Sequence, residues 1–296
     1  MTLTNLLIEE LDLSQINFNG NTLTLQCKQL NKIVGSETFN GSLFLLPKDC
    51  RLTEFTLEGI SNIQGDFQCI DYFYVKEFVM PFIRVAGDMT IALNSGSVNT
   101  AAEIEFPKLQ EIGGTLTLGT NRNANNITFP LLKKILGSCS VTTYKLKNDI
   151  EFTNLESIGT DGADAQIKFE IEATNILCPK LKTINGKFDI ATSSFMFDME
   201  VDKVSYPNVE SISENLSITC PYSDFGSNGI LSIDFSGLKS AKGISISGQG
   251  DVTDFSSFKY LFENNVLTGE SQWSVKECGY NPTFQEMKDG KYKLAE

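Results

Sequence analysis

The sequence predicts a mainly-β protein, folded as a solenoid of about nine to ten coils with short capping elements at both ends. A self-similar phrase recurs along the chain, and repeats of this kind are typical of stacked-coil architectures. Its central apolar positions run from Leu30 to Leu238 in eight steps, a mean spacing of 26 residues. Five of the eight prolines occupy one position of the phrase. With a hydrophobic content of 41%, the chain can bury a sizeable core.

The phrase is clearest in the middle of the chain. One copy reads Ile104-Glu-Phe-Pro-Lys-Leu-Gln-Glu-Ile-Gly-Gly-Thr-Leu-Thr-Leu118, and residues 127–141 repeat its pattern. Weaker copies are predicted upstream, and in the first of them Leu30 and Ile33 take the places of Leu109 and Ile112. The copies occupy residues 30–45, 60–69, 81–91, 104–118, 127–141, 150–159, 177–190, 206–218 and 235–246.

Each part of the phrase has a physical role. The segment Leu116-Thr-Leu118 alternates apolar and polar residues, which predicts a short strand with one buried face. Because one such strand cannot cover its own apolar face, successive copies must stack into a parallel sheet. The glycine before the strand fits a corner where φ is positive or backbones approach closely, and the proline fits the opposite corner, where no backbone donor is needed. The glycines are Gly65, Gly87, Gly114, Gly137, Gly186 and Gly243, and the prolines are Pro81, Pro107, Pro130, Pro179 and Pro207.

Segments of the type Phe-Pro-x-Leu-x-x-Ile-x-Gly-x-Leu-x-Ile resemble the receptor L domain and the leucine-rich-repeat-like surface proteins of the Bacteroidetes type. The resemblance covers roughly residues 10–260. It implies a right-handed β-solenoid of leucine-rich-repeat-like coils, which binds proteins or sugars through variable faces. The chain departs from this pattern in two respects. Its cysteines do not look like disulfide staples, and the fixed Asn of standard leucine-rich repeats is not evident.

The seven cysteines show no C-x-x-C spacing, which disfavours a zinc ribbon or a thioredoxin-like site. Most of them fall where the phrase calls for an apolar core residue. We therefore expect free, buried thiols, with a disulfide as the alternative. The cysteines in core positions are Cys27, Cys69, Cys139, Cys178 and Cys220.

The charged and titratable residues exclude several kinds of function. The chain has no histidine, so neither a Ser-His-Asp nor a Cys-His catalytic site is available, and no metal site or cofactor is expected. Its net charge of −13 disfavours nucleic acid and anionic membranes as partners. Without an apolar run of membrane-spanning length, no membrane insertion is predicted. The first ten residues also lack the basic start and the continuous apolar stretch of a signal peptide.

The candidate binding residues lie in segments that interrupt the phrase. An acidic, glycine-rich insertion contains Asp161 and Asp164, which lack the ligand number and spacing of a calcium loop, so a solvated loop is the favoured interpretation. An aromatic-rich segment contains Tyr72 and Tyr74, and a further insertion contains Tyr222. A binding platform is one interpretation of these aromatic residues, and ordinary strand alternation is the other.

We predict a single structural domain in three parts: residues 1–20 as an N-terminal cap and first strand, 21–262 as the repeat solenoid, and 263–296 as a C-terminal cap or connector. The first ten residues are expected to include a short helix that covers the open end of the solenoid. Near the other end, Thr283 precedes Glu286 by three residues, the capping-box spacing, which predicts a short helix. This tail serves either as a lid or as a connector to another subunit.

The favoured function is a non-enzymatic binding or adhesion scaffold, extracellular or at the cell surface, that recognises a protein or glycan through its outer faces and inserted loops. One alternative is a structural subunit of a larger particle, a phage or secreted assembly, made in the cytoplasm. Another is a polysaccharide-active enzyme with a pair of facing carboxylates. The acidic residues, however, fall on outward repeat positions without forming a cluster, which disfavours the enzyme.

Overall fold

The computed structural model describes residues 1–4, 7–46, 55–70, 77–93, 102–120, 124–142, 148–162, 165–171, 175–192, 203–219, 232–248 and 251–295. Within these ranges the chain is mainly β-structure, and its strands pair in parallel with the equivalent strands of the neighbouring coils. The predicted mainly-β solenoid is therefore confirmed. Its handedness and its exact number of coils stay predictions.

The largest sheet, which we call sheet A, has twelve strands. Its register is regular, since Leu116 pairs with Met89 on one side and with Cys139 on the other. Inward and outward side chains therefore form continuous columns along the solenoid. In spatial order the strands are β1 (Thr2–Thr4), β3 (Thr22–Gln26), β6 (Ser42–Leu45), β9 (Phe67–Ile70), β12 (Met89–Leu93), β15 (Leu116–Thr120), β18 (Cys139–Thr142), β21 (Ala165–Ile171), β24 (Gly186–Thr192), β27 (Asn215–Thr219), β29 (Gly243–Ser247) and β30 (Trp273–Lys276).

Sheet B consists of eight strands of two residues each. Each of these strands places one residue in the core and one on the surface, as Ile112 and Glu111 do. The strands are β5 (Thr38–Phe39), β8 (Asn62–Ile63), β11 (Arg84–Val85), β14 (Glu111–Ile112), β17 (Lys134–Ile135), β20 (Ser157–Ile158), β23 (Thr183–Ile184) and β26 (Ser211–Ile212).

Three smaller sheets, C, D and E, supply the third strand of each coil that has a strand in sheet B. A coil passes through one of these strands, then through sheet B, and then through sheet A, as β13, β14 and β15 do. Sheet C contains β2 (Glu10–Asp12), β4 (Lys32–Val34) and β7 (Thr56–Glu58). Sheet D contains β10 (Glu77–Val79), β13 (Ala102–Glu105), β16 (Ala124–Thr128), β19 (Ile150–Glu151) and β22 (Ile176–Leu177). Sheet E contains β25 (Lys203–Ser205) and β28 (Ser232–Asp234).

The turn that leads into sheet B explains the Phe-Pro-x-Leu part of the phrase. The Leu109 N–H donates to the Phe106 carbonyl oxygen at 3.3 Å across a turn that contains Pro107. Proline suits the second position of such a turn, because its φ is fixed and its missing N–H is not needed there. The rings of Phe106, Phe129 and Phe152 stack with centroids 4.8 and 4.9 Å apart. Successive turns therefore build an aromatic column inside the solenoid.

The glycines at the corner before sheet A stack directly on one another. The Gly65 N–H donates to the Gly41 carbonyl oxygen, and the same bond links Gly87 to Gly65, Gly114 to Gly87 and Gly137 to Gly114, at 2.9 to 3.0 Å. A Cβ atom on Gly137 would lie 2.6 Å from the carbonyl carbon of Gly114. Close backbone approach therefore explains this column of glycines, and φ is not positive at these positions.

The cysteines that the structure describes are buried and lie outside disulfides, as predicted. Burial raises the pKa of the Cys139 thiol and of the Cys178 thiol, so neither forms a reactive thiolate readily. Cys178 occupies the turn position that Phe106 holds in another coil, because its carbonyl oxygen accepts the equivalent bond from Leu181 at 3.1 Å. The buried cysteines outside disulfides are Cys27, Cys69, Cys139, Cys178 and Cys278, whereas Cys50 and Cys220 lie outside the described residues.

The prediction of a helix in the first ten residues is wrong for the described part of that segment. Residues Thr2–Thr4 form β1, and β2 begins at Glu10. Leu7, Ile8 and Leu11 have the spacing of a helical face. Pairing of β1 with β3 and of β2 with β4 satisfies the backbone instead, so the chain continues the solenoid to its N-terminal end.

The first predicted copy of the phrase is also in the wrong register. Ile33 pairs with Leu57 in sheet C, whereas the residue that pairs with Ile63 in sheet B is Phe39. The sequence Ile33-Val-Gly35 imitates the Ile-x-Gly of the phrase. Since both positions need a buried apolar residue, the pairing partner alone distinguishes them.

Short helices and the last strand cover the C-terminal end. The Thr283 hydroxyl accepts from the Glu286 N–H at 3.2 Å, and the Glu286 carboxylate accepts from the Thr283 N–H at 2.9 Å, which confirms the predicted capping box. The Trp273 indole N–H donates to the Pro282 carbonyl oxygen at 2.9 Å. The helical segments are two 3-10 turns, Ser256–Phe258 and Glu270–Gln272, and two α-helices, α1 (Lys259–Glu263) and α2 (Phe284–Lys288).

Candidate functional site

Most of the predicted binding residues fall outside the part of the chain that the structure describes. Tyr72, Tyr74, Asp164 and Tyr222 are among those residues. Asp161 is described, and it is an exposed residue in the turn before β21. In the described ranges, no three His, Cys, Asp or Glu side chains are grouped so that they could hold a metal ion. The grouping of the predicted binding residues therefore stays a prediction.

The buried titratable groups belong to the core. The Tyr206 hydroxyl donates to the Ile176 carbonyl oxygen at 2.9 Å, in fully buried surroundings. Burial, together with the nearby thiols of Cys178 and Cys139, raises the pKa of the Tyr206 hydroxyl. Because the hydroxyl is paired and enclosed, its role is to satisfy a backbone acceptor inside the solenoid.

The charged side chains of the outer faces form pairs between successive coils. The Lys32 ammonium nitrogen lies 3.5 Å from a Glu10 carboxylate oxygen and 3.4 Å from one of Glu58. The Lys239 ammonium likewise lies 2.8 Å from a Glu210 carboxylate oxygen, which lowers the pKa of the Glu210 carboxyl. Because these side chains are exposed to solvent, their ion pairs are screened and contribute little to stability.

A groove with a volume of about 430 Å³ lies near the N-terminal end of the solenoid. Residues 13–17, which follow β2, form one wall, and Ser36 with residues 38–40, which include β5, forms the other. The polar lining residues are all neutral, and the apolar ones are Leu13, Ile16 and Phe39. The neutral polar residues are Ser14, Gln15, Asn17, Ser36, Thr38 and Asn40.

Hydrogen bonds and ring contacts hold the two walls of the groove together. The Ser36 hydroxyl donates to the Ser14 carbonyl oxygen at 2.8 Å. The Gly20 N–H donates to the Asn40 carbonyl oxygen at 2.8 Å, in a turn where Gly20 has a φ of 81°. Beneath the walls, the Phe18 and Phe39 rings lie 4.7 Å apart between centroids. The groove is therefore built by the packing of two consecutive coils.

Three neighbouring side chains of the groove are exposed. Gln15 has one weak contact, from its amide nitrogen to the Ser14 hydroxyl oxygen at 3.5 Å. The Asn17 side-chain oxygen accepts from the Asn19 N–H at 3.0 Å, and the Ile16 side chain is 49% exposed. Amides and hydroxyls can both donate and accept hydrogen bonds. A groove with these groups beside an exposed apolar side chain suits a neutral ligand rich in hydroxyl groups.

Sequence reasoning did not find this groove. Its residues have no fixed spacing and no charge, and they lie where the phrase is weakest. One signal was present, because Asn17, Asn19 and Asn21 interrupt the apolar alternation between two strands. An Asn-rich interruption of this kind also reads as an ordinary turn.

The fold places the chain in the class of parallel β-solenoids. No protein-family model matches the chain, and neither a curated protein nor a solved structure is significantly similar to it. Across the described residues, none of the helices has the length and apolar character needed to cross a membrane.

Proposed function

We propose that this protein is a non-enzymatic binding scaffold, placed outside the cell or at its surface, that recognises a glycan or protein through its outer faces. The observation that carries the proposal is the groove that residues 13–17 form with Ser36 and residues 38–40. Its neutral amides and hydroxyls favour a neutral carbohydrate over an ionic ligand. The resemblance of the repeat phrase to receptor L domains supports the same function.

The carboxylates favour binding over glycoside cleavage. A glycosidase needs one carboxyl group that stays protonated, which requires a raised pKa. Among the described carboxyl groups whose pKa is shifted, the direction is downward, because hydrogen bonds and lysines stabilise the ionised form. These groups are Asp12, Glu170, Glu210, Asp234 and Glu286.

The proposal is tested by titrating the protein with a panel of neutral oligosaccharides in a calorimeter. We expect saturable binding of at least one of them, and we expect Gln15→Ala to weaken it about tenfold, the value of one good hydrogen bond. Gln110→Ala is the matched control, since Gln110 is also an exposed glutamine but lies outside the groove.

Two outcomes would contradict the proposal. If no oligosaccharide in the panel binds, or if Gln15→Ala and Gln110→Ala bind equally well, the groove is not a carbohydrate site. If chromatography detects shortened products after incubation, the protein cleaves its ligand and is not a simple scaffold.

A structural subunit of a larger assembly is the second candidate function. The specific observation in its favour is that β1 and β2 stand at the outer edges of sheets A and C. An edge strand of this kind pairs readily with another chain.

A further inference from the structure

The N-terminal end of the solenoid exposes two strand edges. In a parallel sheet, successive residues of a strand direct their backbone groups to opposite sides. The Met1 carbonyl oxygen accepts from Thr24, and the Glu9 carbonyl oxygen accepts from Lys32, so these residues face the neighbouring strand. The alternate residues of the same two strands direct their N–H and C=O groups outward, away from the solenoid. These residues are Thr2 and Thr4 in β1, and Glu10 and Asp12 in β2.

The same end leaves the apolar core partly uncovered. Leu3, Ile8 and Leu11 pack against the core but are only partly buried, and Leu7 is 81% exposed. In the equivalent inward columns of the interior, Leu118 of sheet A is 1% exposed and Ile104 of sheet D is fully buried. A strand laid over this end would therefore bury apolar surface as well as pair its backbone.

The charges of sheet C indicate which kind of strand fits. Lys32 of β4 forms an ion pair with Glu10, its direct partner on β2. It forms a second ion pair with Glu58 of β7, which lies diagonally from it. The outermost strand carries Glu10 and Asp12, and Lys28 is the first basic side chain in the sequence. A cation on the next strand outward would pair with the exposed carboxylates of β2.

We propose that this end of the solenoid docks a basic, alternating β-strand from a partner protein. The partner strand pairs with β2, its apolar residues cover Leu11 and Ile8, and its Lys or Arg residues face Glu10 and Asp12. A second copy of this chain does not fit, because the same carboxylates would face one another. The proposal is independent of carbohydrate binding, since none of these residues lines the groove.

The experiment measures backbone amide exchange in the full chain with the peptide acetyl-Thr-Val-Lys-Val-Lys-Val-Thr-amide as the probe. At saturating peptide, we expect exchange at Glu10 and Asp12 to slow by about tenfold or more, because both amides gain a partner. The same peptide with Glu in place of Lys should give no slowing. Amides of α2 at the opposite end should exchange at an unchanged rate.

Variants identify the charge contribution. Glu10→Lys should weaken peptide binding by about three- to tenfold, since an attraction becomes a repulsion, and Glu10→Gln should weaken it less. Glu270→Lys is the matched control, because Glu270 is exposed in the C-terminal cap. Far-UV circular dichroism verifies that each variant is folded.

The proposal is overturned if the Lys peptide leaves exchange at β2 unchanged, or if the Glu peptide slows it equally. It is also overturned if exchange at β2 slows with rising protein concentration in the absence of peptide, since a second copy would then be the occupant. Loss of peptide binding leaves carbohydrate binding at the groove untouched, so the two proposals fail separately.

Discussion

The two ends of the solenoid finish the same core in opposite ways. At the C-terminal end the core stops beneath Trp273, whose ring contacts Phe255, Phe258 and Phe262 with centroids 5.1 to 6.1 Å apart. These rings are buried, and two short α-helices pack over them. At the N-terminal end, Leu3 and Leu11 are only partly buried, and the strands that carry them are the outermost described strands of sheets A and C.

The difference shows what a solenoid needs at its ends. Each coil gains stability mainly from its neighbours, so an interior coil has two stabilising interfaces and an end coil has one. The aromatic cap replaces the missing neighbour at the C-terminal end. The N-terminal coil lacks such a replacement within the described residues. It should therefore open first, and it is the end available to a partner.

The largest predicted effect comes from the C-terminal cap. Phe258→Ala removes a fully buried ring that contacts Phe235 and Trp273, and should cost about 3–5 kcal/mol of unfolding free energy. Leu11→Ala at the N-terminal end should cost only about 1 kcal/mol of unfolding free energy, because Leu11 is already partly exposed. Urea unfolding followed by far-UV circular dichroism measures both.

Trp273 sharpens this test because it is the one tryptophan of the chain and lies in the cap. Its fluorescence should report the Phe258→Ala change as a lower unfolding midpoint and should hardly respond to Leu11→Ala. Equal losses for the two variants would contradict the difference between the ends.

The interior of the fold could be predicted from the sequence because its constraints repeat. Leu109, Ile112, Leu116 and Leu118 each recur at equivalent positions, and all four are buried as predicted. The same register correctly places Cys139 in the core. Every coil places apolar residues at the same positions. The clear copies of the phrase therefore fix the register of a less clear copy.

The ends could not be predicted in this way. Among the described residues, the N-terminal coil has a neighbour on one side only, so no second copy of the pattern corrects the helical spacing of Leu7, Ile8 and Leu11. The side chains that line the groove are neutral, and the groove acquires its shape only when two coils stack. Neither feature repeats along the chain, and local propensity alone does not decide them.

A smaller effect is expected from the glycine column that spaces the coils between the two ends. Gly137→Ala places a Cβ atom 2.6 Å from the carbonyl carbon of Gly114, so the neighbouring backbone must shift. We expect a loss of about 1–3 kcal/mol, the usual cost of overpacking. Gly119→Ala is the control, because nothing lies within 4 Å of its Cβ position.

The urea midpoint of both glycine variants is read by circular dichroism and by Trp273 fluorescence. If Gly137→Ala is as stable as Gly119→Ala, the close approach of these backbones is not a constraint. A loss seen by circular dichroism but absent from the fluorescence would show that the cap unfolds independently of the interior coils.

The smallest effect is a dependence on acid pH at each end. Bonds from the backbone and hydroxyl of Thr283 lower the pKa of the Glu286 carboxyl below its ordinary value of 4.5, and bonds from Ser14 lower that of Asp12 below 3.8. Each folded-state pKa is lowered, so the stabilisation is present above the ordinary value and is lost as the pH falls through the folded one.

The two carboxylates therefore stabilise opposite ends in the same way, and the fluorescence of Trp273 distinguishes their effects. Above pH 5, the fluorescence midpoint of Glu286→Gln should lie below that of the parent chain, and the difference should shrink as the pH falls below 4.5. Asp12→Asn should leave the fluorescence midpoint unchanged and instead speed amide exchange in β2. An equal fluorescence response to both variants would mean that the two ends unfold together. The N-terminal end would then not be less stable than the C-terminal end.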